Sequence, residues 1–343
     1  MRAVLLQTHG APEEALVYRV GVPEPLPAAD EVVLRVRATT VNRVDVLLRR
    51  GYPGLALPLP HILGGDIVGE VVNANGHASE LPEGTRVVVY PLVWCGRCHL
   101  CRRGFENLCQ NWQYIGMHRA GGYAEYVAVP ARCCIPLPDT LSDAVAACLG
   151  VAGLTAYHAL EVARVGPGDS VVVWGATGGM GTFLLQLARH RGATVVATTR
   201  HPEHHELLRS WGADMVVPSS PPEAAVRAVL ERFPEGVDVV IDYVGAATLP
   251  SSLSLLRKGG CAVLCGMLTG RDVLVNIHSL YLRHICLQGI YLGSRAEFTS
   301  LLDLVASGVV RPFIHGVYPL SEAAALHRQM EDTGFRGKAV LVP

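Results

Sequence analysis

The sequence predicts an α/β protein with two domains, one mostly β and one built on a doubly wound parallel sheet. Its 343 residues are enough for two domains. Up to about residue 148, short apolar or alternating runs are separated by Gly, Pro and Asn, as in β-strands. Beyond about residue 150, apolar strands alternate with amphipathic helices. That rhythm predicts a parallel sheet covered by helices on both faces.

The composition narrows the functional class. Half of the residues are hydrophobic, 17% are charged and the net charge is −1, so a nucleic-acid-binding protein, which needs a basic surface, is not expected. The sequence has no run of 18 or more apolar residues, so we do not expect a membrane span. The N-terminal sequence lacks the features of a secretion signal. Ten cysteines could form disulfides. A cytoplasmic protein with metal-bound and free thiols fits better, because a chain this long does not need disulfide staples.

Four cysteines lie close together in the segment 91–112. Their spacing is C-x2-C-x2-C-x7-C, formed by Cys95, Cys98, Cys101 and Cys109. Short gaps let a tight loop direct successive sulfurs at one ion, and four thiolates close a tetrahedral zinc shell. Free thiols and an iron–sulfur cluster are the alternatives. The spacing therefore predicts one structural zinc ion, which has no open position for chemistry.

A glycine-rich turn follows the first strand of the second domain. The strand "SVVVWGA" leads into Gly175, Gly178, Gly179, Met180 and Gly181, and a helix and a second strand follow. Such glycines let the backbone approach a pyrophosphate, and the helix N-terminus offers free N–H groups to the anion. The alternative is an ordinary tight turn. The context predicts a dinucleotide site.

The end of the second strand predicts which dinucleotide binds. NAD sites carry an acidic residue there, which holds the ribose 2′-hydroxyl. This strand ends in Thr198, Thr199 and Arg200, without a carboxylate. Hydroxyls and a guanidinium would bind a 2′-phosphate through charge-assisted hydrogen bonds. We therefore expect NADPH, unless Arg200 is simply a solvated surface charge.

With both motifs in one chain, the sequence resembles the medium-chain dehydrogenase/reductase family, which includes zinc alcohol dehydrogenases and quinone oxidoreductases. Further matching segments are "GGYAEYVAVP", "AGLTAYHAL", "GVDVVIDYVG" and the terminal "GKAVLVP". The resemblance implies a GroES-like catalytic domain from residues 1–148 and 285–343, and a Rossmann domain from residues 149–284. It also implies that four further residues line the cofactor site: Arg43, Thr155, Val244 and Gly266.

The positions of the family's catalytic zinc ligands differ in this chain. By resemblance, the first cysteine falls at Asn42, the histidine at Gly65 and the third ligand near Val151. None of these residues suits zinc. Without a Lewis acid to polarise an alcohol oxygen, we expect oxidation of simple alcohols to be slow. The resemblance therefore favours the quinone oxidoreductase branch.

These features predict an NADPH-dependent oxidoreductase that transfers hydride to an activated carbonyl, enone or quinone. Such acceptors spread negative charge themselves, so hydrogen-bond donors can replace the metal. Asn42 and Tyr52 are the expected donors, although Asn42 could instead cap a turn and Tyr52 pack a loop. One alternative is an alcohol dehydrogenase with a displaced metal on His61, Asp66 or Cys148. Another is a non-enzymatic, crystallin-like NADPH-binding protein. By analogy, we expect a homodimer or homotetramer.

Overall fold

A computed structural model describes residues 1–77 and 79–343. The chain divides into two compact units. The first unit comprises Met1–Leu154, Ser294–Ser307 and Pro312–Pro343, and the second comprises Thr155–Gly293 and Gly308–Arg311. The first unit is therefore built from both ends of the chain.

The N-terminal part of the first unit is mostly β. In chain order its strands and α-helices are β1 (Ala3–Leu6), α1 (Pro12–Ala15), β2 (Leu16–Arg19), β3 (Glu31–Thr40), α2 (Arg43–Arg50), β4 (Ile67–Asn73), β5 (Arg86–Val89), β6 (Leu92–Val93), α3 (His99–Arg102), β7 (Gln113–Tyr114), β8 (Tyr126–Pro130), β9 (Cys134–Pro136) and α4 (Asp143–Ala146). Short 3₁₀ turns follow α3 and β8, at Glu106–Leu108 and Ala131–Cys133.

The middle of the chain alternates strands and helices. Its elements are α5 (Leu154–Val162), β10 (Ser170–Val173), α6 (Gly181–His190), β11 (Thr194–Thr199), α7 (His205–Ser210), β12 (Met215–Pro218), α8 (Pro222–Arg232), β13 (Val237–Asp242), α9 (Leu249–Leu255), β14 (Leu256–Leu264), α10 (Ile277–Leu282) and β15 (Cys286–Gly289). The remaining elements, all in the first unit, are α11 (Arg295–Ala306), β16 (Ile314–Pro319), α12 (Ala323–Asp332) and β17 (Lys338–Val342).

The second unit contains a six-stranded sheet in the order β12-β11-β10-β13-β14-β15, and every neighbouring pair is parallel. This is the Rossmann strand order, in which the chain reverses direction across the sheet at β10. β15 completes the sheet by pairing with β14. The structure therefore places β15 in the second unit, whereas the resemblance implies a boundary at residue 285 that puts this strand in the first. The short, partly polar β15 gives no sequence signal for this pairing.

The first unit contains a seven-stranded sheet in the order β16-β17-β3-β4-β5-β9, with β8 also paired to β3. Its apolar side chains, among them Val32, Leu34, Ile67 and Val87, form a buried core. β17, from the end of the chain, lies antiparallel beside β3, with Val340 opposite Thr40. The end of β3 and the starts of β17 and β4 therefore meet at one edge of the sheet.

One helical stretch has the length and apolar composition of a membrane span, namely Asp143–Val162, which includes α4 and α5. Most of it is buried inside the structure. Burial of that kind is typical of a core helix, so the stretch carries little weight as evidence for a membrane protein.

Candidate active site

A buried carboxylate lies where β17, β3 and β4 meet. Asp66 immediately precedes β4 and is completely buried. Its side chain accepts hydrogen bonds from the Thr40 hydroxyl, Asn42 Nδ2 at 2.8 Å, Lys338 Nζ at 3.1 Å and the Val151 backbone N–H at 2.7 Å. Both carboxylate oxygens are therefore satisfied, as a buried charge requires.

Lys338 supplies the opposite charge. It is the first residue of β17, and only 2% of its surface is exposed. Its ammonium contacts Asp66, Asn42 Oδ1 at 2.5 Å and the Val41 carbonyl at 3.5 Å. Asn42 thus accepts from Lys338 with its oxygen and donates to Asp66 with its nitrogen. Both ends of the Asn42 amide are committed to this network.

Space at the position of the expected histidine ligand is filled. Gly65 has no side chain, and a Cβ built there would lie 2.0 Å from the Tyr114 hydroxyl. Because the buried Tyr114 ring occupies this volume, any larger residue at position 65 would force it to move. Val151, at the third ligand position, is tied to Asp66 through its backbone N–H. The three positions of the expected zinc ligands are therefore occupied by the amide of Asn42, the hydrogen of Gly65 and the apolar side chain of Val151.

A second buried carboxylate lies beneath this network. Asp45 is fully buried, and its Oδ2 accepts from the Asn42 backbone N–H at 2.8 Å at the start of α2. Tyr123 is within reach of both Asp45 Oδ2, at 3.5 Å, and His327 Nε2, at 3.2 Å. Burial raises the pKa of Asp45 to about 7, and burial lowers the pKa of His327 to about 3.

These opposite shifts predict a pH signature. Asp45 keeps its proton in the folded state up to pH about 7, whereas an unfolded Asp loses it near pH 4. The unfolded state therefore binds fewer protons over this range, and Asp45 lowers stability as the pH rises. The free energy of unfolding of Asp45→Asn, minus that of the parent, should rise by about 1.4 kcal/mol per pH unit between about pH 4 and 7.

His327 provides the matched control for this prediction. Its folded pKa lies below the unfolded value, so it adds stability as the pH rises from about 3 to about 6.5. The free energy of unfolding of His327→Gln, minus that of the parent, should therefore fall as the pH rises over this range. Urea denaturation at a series of pH values measures both differences. Parallel curves for Asp45→Asn and the parent would contradict the Asp45 assignment.

Four other candidate residues lie in the first unit. Tyr52 is half-buried on the loop after α2, and Arg43, the first residue of α2, is exposed. His61 is buried and contacts the Gly116 carbonyl at 3.3 Å. Cys148 is buried with its thiol directed at the Ala144 carbonyl, and burial raises its pKa to about 12. Neither His61 nor Cys148 has the partners expected of a metal ligand.

The four cysteines of the segment 91–112 converge as the spacing predicts. Their sulfurs all lie within 4.8 Å of one another. Across residues 1–77 and 79–343, no other group of three or more His, Cys, Asp or Glu side chains is gathered this closely. Backbone N–H groups donate to these sulfurs, from Cys95 to Cys109 at 3.4 Å and from Cys98 to Cys95 at 3.4 Å. Such donors orient thiolates around an ion.

The pKa values of two of the clustered cysteines also indicate that the cluster binds a cation. Backbone donors from Arg97 and Cys98 lower the pKa of Cys95 to about 6, whereas burial and neighbouring sulfurs raise that of Cys101 to about 12. Four sulfurs this close cannot all ionise without a positive ion between them. The donor set and its closed arrangement fit a tetrahedral zinc ion.

The glycine loop has the geometry that a dinucleotide needs. Gly175 adopts φ +64°, and a Cβ on Gly181 would lie 1.9 Å from the Ala176 carbonyl. Only glycine allows helix α6 to start so close to β10. A side chain at Gly178, by contrast, would meet nothing nearer than 3.6 Å. Gly178, Gly179 and Met180 are partly exposed, so this side of the loop is accessible to a ligand.

The residues at the end of β11 and just after it divide into buried and exposed groups. Thr198 is buried, and its hydroxyl accepts from the Gly175 backbone N–H at 3.0 Å, so it supports the glycine loop. Thr199 is buried and accepts from the His201 N–H at 3.1 Å. Arg200 is exposed. The nearest following carboxylate, Glu203, contacts His201 at 3.1 Å.

The remaining predicted cofactor residues also lie in the second unit. Thr155 is buried in α5, and Val244 follows β13 with its N–H donating to Asp242 at 2.9 Å. Gly266 follows β14, where a Cβ would lie 2.0 Å from the Tyr243 carbonyl. Gly266 and Val244 thus follow neighbouring strands at the carboxyl edge of the sheet, where ligands of this fold bind.

Lys338 is a site residue that the sequence motifs do not predict. Its only signal was a lysine at the start of the apolar strand "KAVLV", where a fully buried charge is unexpected without a partner. The sequence points to Asp66 only as an alternative metal ligand. The pairing of β17 with β3 brings the two together across 272 residues.

Comparison with known proteins agrees with this architecture. Residues 28–139 match the family model described as the alcohol dehydrogenase GroES-like domain, and residues 179–307 match that of the zinc-binding dehydrogenases. An NAD-dependent alcohol dehydrogenase of Sulfolobus acidocaldarius is 32% identical, covering 99% of each chain. A quinone oxidoreductase of Mus musculus is 29% identical, covering 100% of this chain and 98% of that protein.

A solved structure of an NAD-dependent alcohol dehydrogenase matches the whole of both chains with a TM-score of 0.94 and 33% identity. The full-length matches, the GroES-like and Rossmann units and the glycine loop agree with one another. The chain therefore belongs to the medium-chain dehydrogenase/reductase family and is an oxidoreductase of the alcohol dehydrogenase and quinone oxidoreductase type.

Proposed function

We propose that this chain is an NADPH-dependent oxidoreductase that transfers hydride to an activated carbonyl, enone or quinone without a catalytic zinc ion. The observation that carries the proposal is the network of Asn42, Asp66 and Lys338. The Lys338 ammonium holds Asn42 Oδ1 and the Asp66 carboxylate, and the Tyr114 ring fills the space beside Gly65. A zinc ion there would find no suitable donor set.

The residues have separate roles in this proposal. Bound NADPH would supply the hydride. The half-buried Tyr52 would donate a hydrogen bond to the acceptor oxygen as negative charge develops on it. Asn42, with both ends of its amide committed, would act as a positioning residue that fixes the Lys338 charge. Cys95, Cys98, Cys101 and Cys109 would hold one structural zinc ion per chain.

An NADPH-oxidation panel tests this function. Quinones, enones and aromatic ketones should be reduced, and simple aliphatic alcohols should be oxidised with NADP⁺ at least about a hundredfold more slowly. Activity should survive mild chelation, because a closed structural site exchanges slowly and does no chemistry. Tyr52→Phe should lower kcat about tenfold or more, with little change in the dissociation constant of NADPH. Fast alcohol oxidation that a chelator abolishes would contradict the proposal.

The preference for NADPH has its own test. Arg200→Glu should raise the dissociation constant of NADPH at least about tenfold, because it replaces a charge-assisted phosphate contact with repulsion, and should leave NADH binding nearly unchanged. Arg189→Glu, at an exposed arginine on α6, is the charge-matched control. Fluorescence titration measures the dissociation constants of NADPH and NADH for the parent and both variants. Tighter binding of NADH than NADPH by the parent would overturn the assignment.

The two alternatives predict different results. An alcohol dehydrogenase with a displaced metal would bind it through His61, Asp66 or Cys148. The Asp66 carboxylate already accepts four hydrogen bonds, while His61 and Cys148 contact backbone carbonyls. A crystallin-like binding protein would bind NADPH and show no turnover on any member of the panel. The half-buried phenol of Tyr52 favours turnover.

We further propose that the protein is cytoplasmic and forms a homodimer or homotetramer. β15 is an edge strand of the second unit, and all four of its residues are exposed. Large apolar side chains are exposed nearby in the sequence, namely Leu274, Ile277, Tyr281 and Leu282. An unpaired edge next to such a surface would be covered by a second copy of the chain.

A further inference from the structure

Two cysteines outside the metal cluster face each other across neighbouring strands. Cys261 lies in β14 and Cys286 is the first residue of β15, and the two are register partners in this parallel pair. Register partners project their side chains to the same face of a sheet. Neighbouring strands lie about 4.8 Å apart, within the Cα separation of about 4.4–6.8 Å that disulfides span.

The position of Cys286 is fixed from both sides. Before β15, the Gly259 N–H donates to the Arg283 carbonyl at 2.8 Å. After it, the Ile290 N–H donates to the Leu264 carbonyl at 2.9 Å. The sheet therefore holds the backbone positions of Cys261 and Cys286 side by side.

The two cysteines differ in accessibility. Cys286 is exposed and Cys261 is half-buried. Burial, with a contribution from Cys286, raises the pKa of Cys261 to about 12. Cys286 is thus the thiol that an external reagent meets first, and Cys261 is the thiol that reacts second. Edge pairing with another chain would use the backbone of β15, whereas this thiol lies on a face of the sheet.

We propose that Cys261 and Cys286 are a redox modification site that forms an intrachain disulfide on reaction with a low-molecular-weight disulfide. The Cys286 thiolate attacks one sulfur of the reagent, which forms a mixed disulfide and releases the first reagent thiol. Cys261, after losing its proton to solvent, attacks the Cys286 sulfur and expels the second. Two protein thiols are oxidised by two electrons, and one reagent disulfide is reduced to two thiols.

The bond would tie the edge strand to the sheet. It closes a loop that contains α10 and Gly266, the glycine after β14. Constraining a loop of this size in the unfolded chain should raise Tm by about 5 °C or more. Amide exchange in residues 286–289 should also slow. Both effects should reverse on addition of dithiothreitol.

Oxidised glutathione is the probe for the test. The full-length protein is incubated with it at pH 8, quenched with a thiol-alkylating reagent and digested without reduction for mass spectrometry. The parent should yield a peptide pair joined through Cys261 and Cys286. Cys261→Ser should instead accumulate glutathione on Cys286, and Cys286→Ser should leave Cys261 unmodified. A metal-release assay run in parallel verifies that the metal cluster is intact.

Cys265→Ser is the matched control, because Cys265 falls in the same tryptic peptide as Cys261. The joined peptides should persist in this variant. A stable mixed disulfide in the parent, a link through Cys265, or a link between two chains on a non-reducing gel would each overturn the proposal.

Discussion

Lys338→Met should destabilise the protein by about 3–5 kcal/mol, because it leaves the Asp66 carboxylate charged and buried without its cation. The two charged groups are 3.1 Å apart, and their side chains are 3% and 0% exposed. Methionine is a good replacement in size, so the loss reports the charge and not a cavity. Urea denaturation at pH 7 measures the free energy of unfolding.

Two further variants test whether the loss of stability comes from the buried ion pair of Lys338 and Asp66. Asp66→Asn combined with Lys338→Met should recover part of the loss, because no charge remains buried. Arg328→Met removes an exposed ion pair with Glu13, whose side chains are 44% and 55% exposed, and should cost less than about 1 kcal/mol. Equal effects of Lys338→Met and Arg328→Met would show that the buried network is not a charged pair.

Cys101→Ser should remove the metal from the cysteine cluster and destabilise the protein by about 4 kcal/mol or more. Loss of one thiolate opens the four-ligand shell, and the segment 91–112 then loses the ion that gathers its sulfurs. Zinc analysis should fall from about one ion per chain to nearly none. Hydrogen exchange should show faster exchange confined first to this segment.

Cys286→Ser is the control for this effect, because Cys286 is exposed and lies outside the cluster. It should retain the full zinc content and the stability of the parent. Full zinc occupancy in Cys101→Ser would mean that the metal is held elsewhere in the chain.

Features encoded by neighbouring residues could be predicted from the sequence. The cysteine cluster and the glycine loop each depend on spacings within about fifteen residues, so the spacing alone fixes which atoms meet. The fold class is confirmed because alternating strands and helices predict a covered parallel sheet without knowledge of the partners. Gly181 could be predicted for the same reason, because a tight strand-to-helix turn brings it close to Ala176.

Features that depend on distant pairing could not be predicted. Lys338 and Asp66 meet only because β17 and β4 flank β3, an arrangement that no local pattern specifies. The Tyr114 ring beside Gly65 is equally invisible in the sequence, which shows a missing histidine but not what fills its space. For the same reason, the sequence predicts Asn42 as a hydrogen-bond donor to the acceptor, whereas the structure favours a positioning role. The Asn42 amide accepts a hydrogen bond from Lys338 and donates one to Asp66, so Tyr52 is the expected donor to the acceptor oxygen.

We expect the cysteine cluster to hold the metal, because the network of Asn42, Asp66 and Lys338 leaves no place for a catalytic ion. Elemental analysis of protein purified without added metal tests it most directly, paired with turnover of a quinone by the same sample. One zinc ion per chain in an active preparation is the expected result. Two zinc ions per chain, with activity lost as the second is removed, would contradict it.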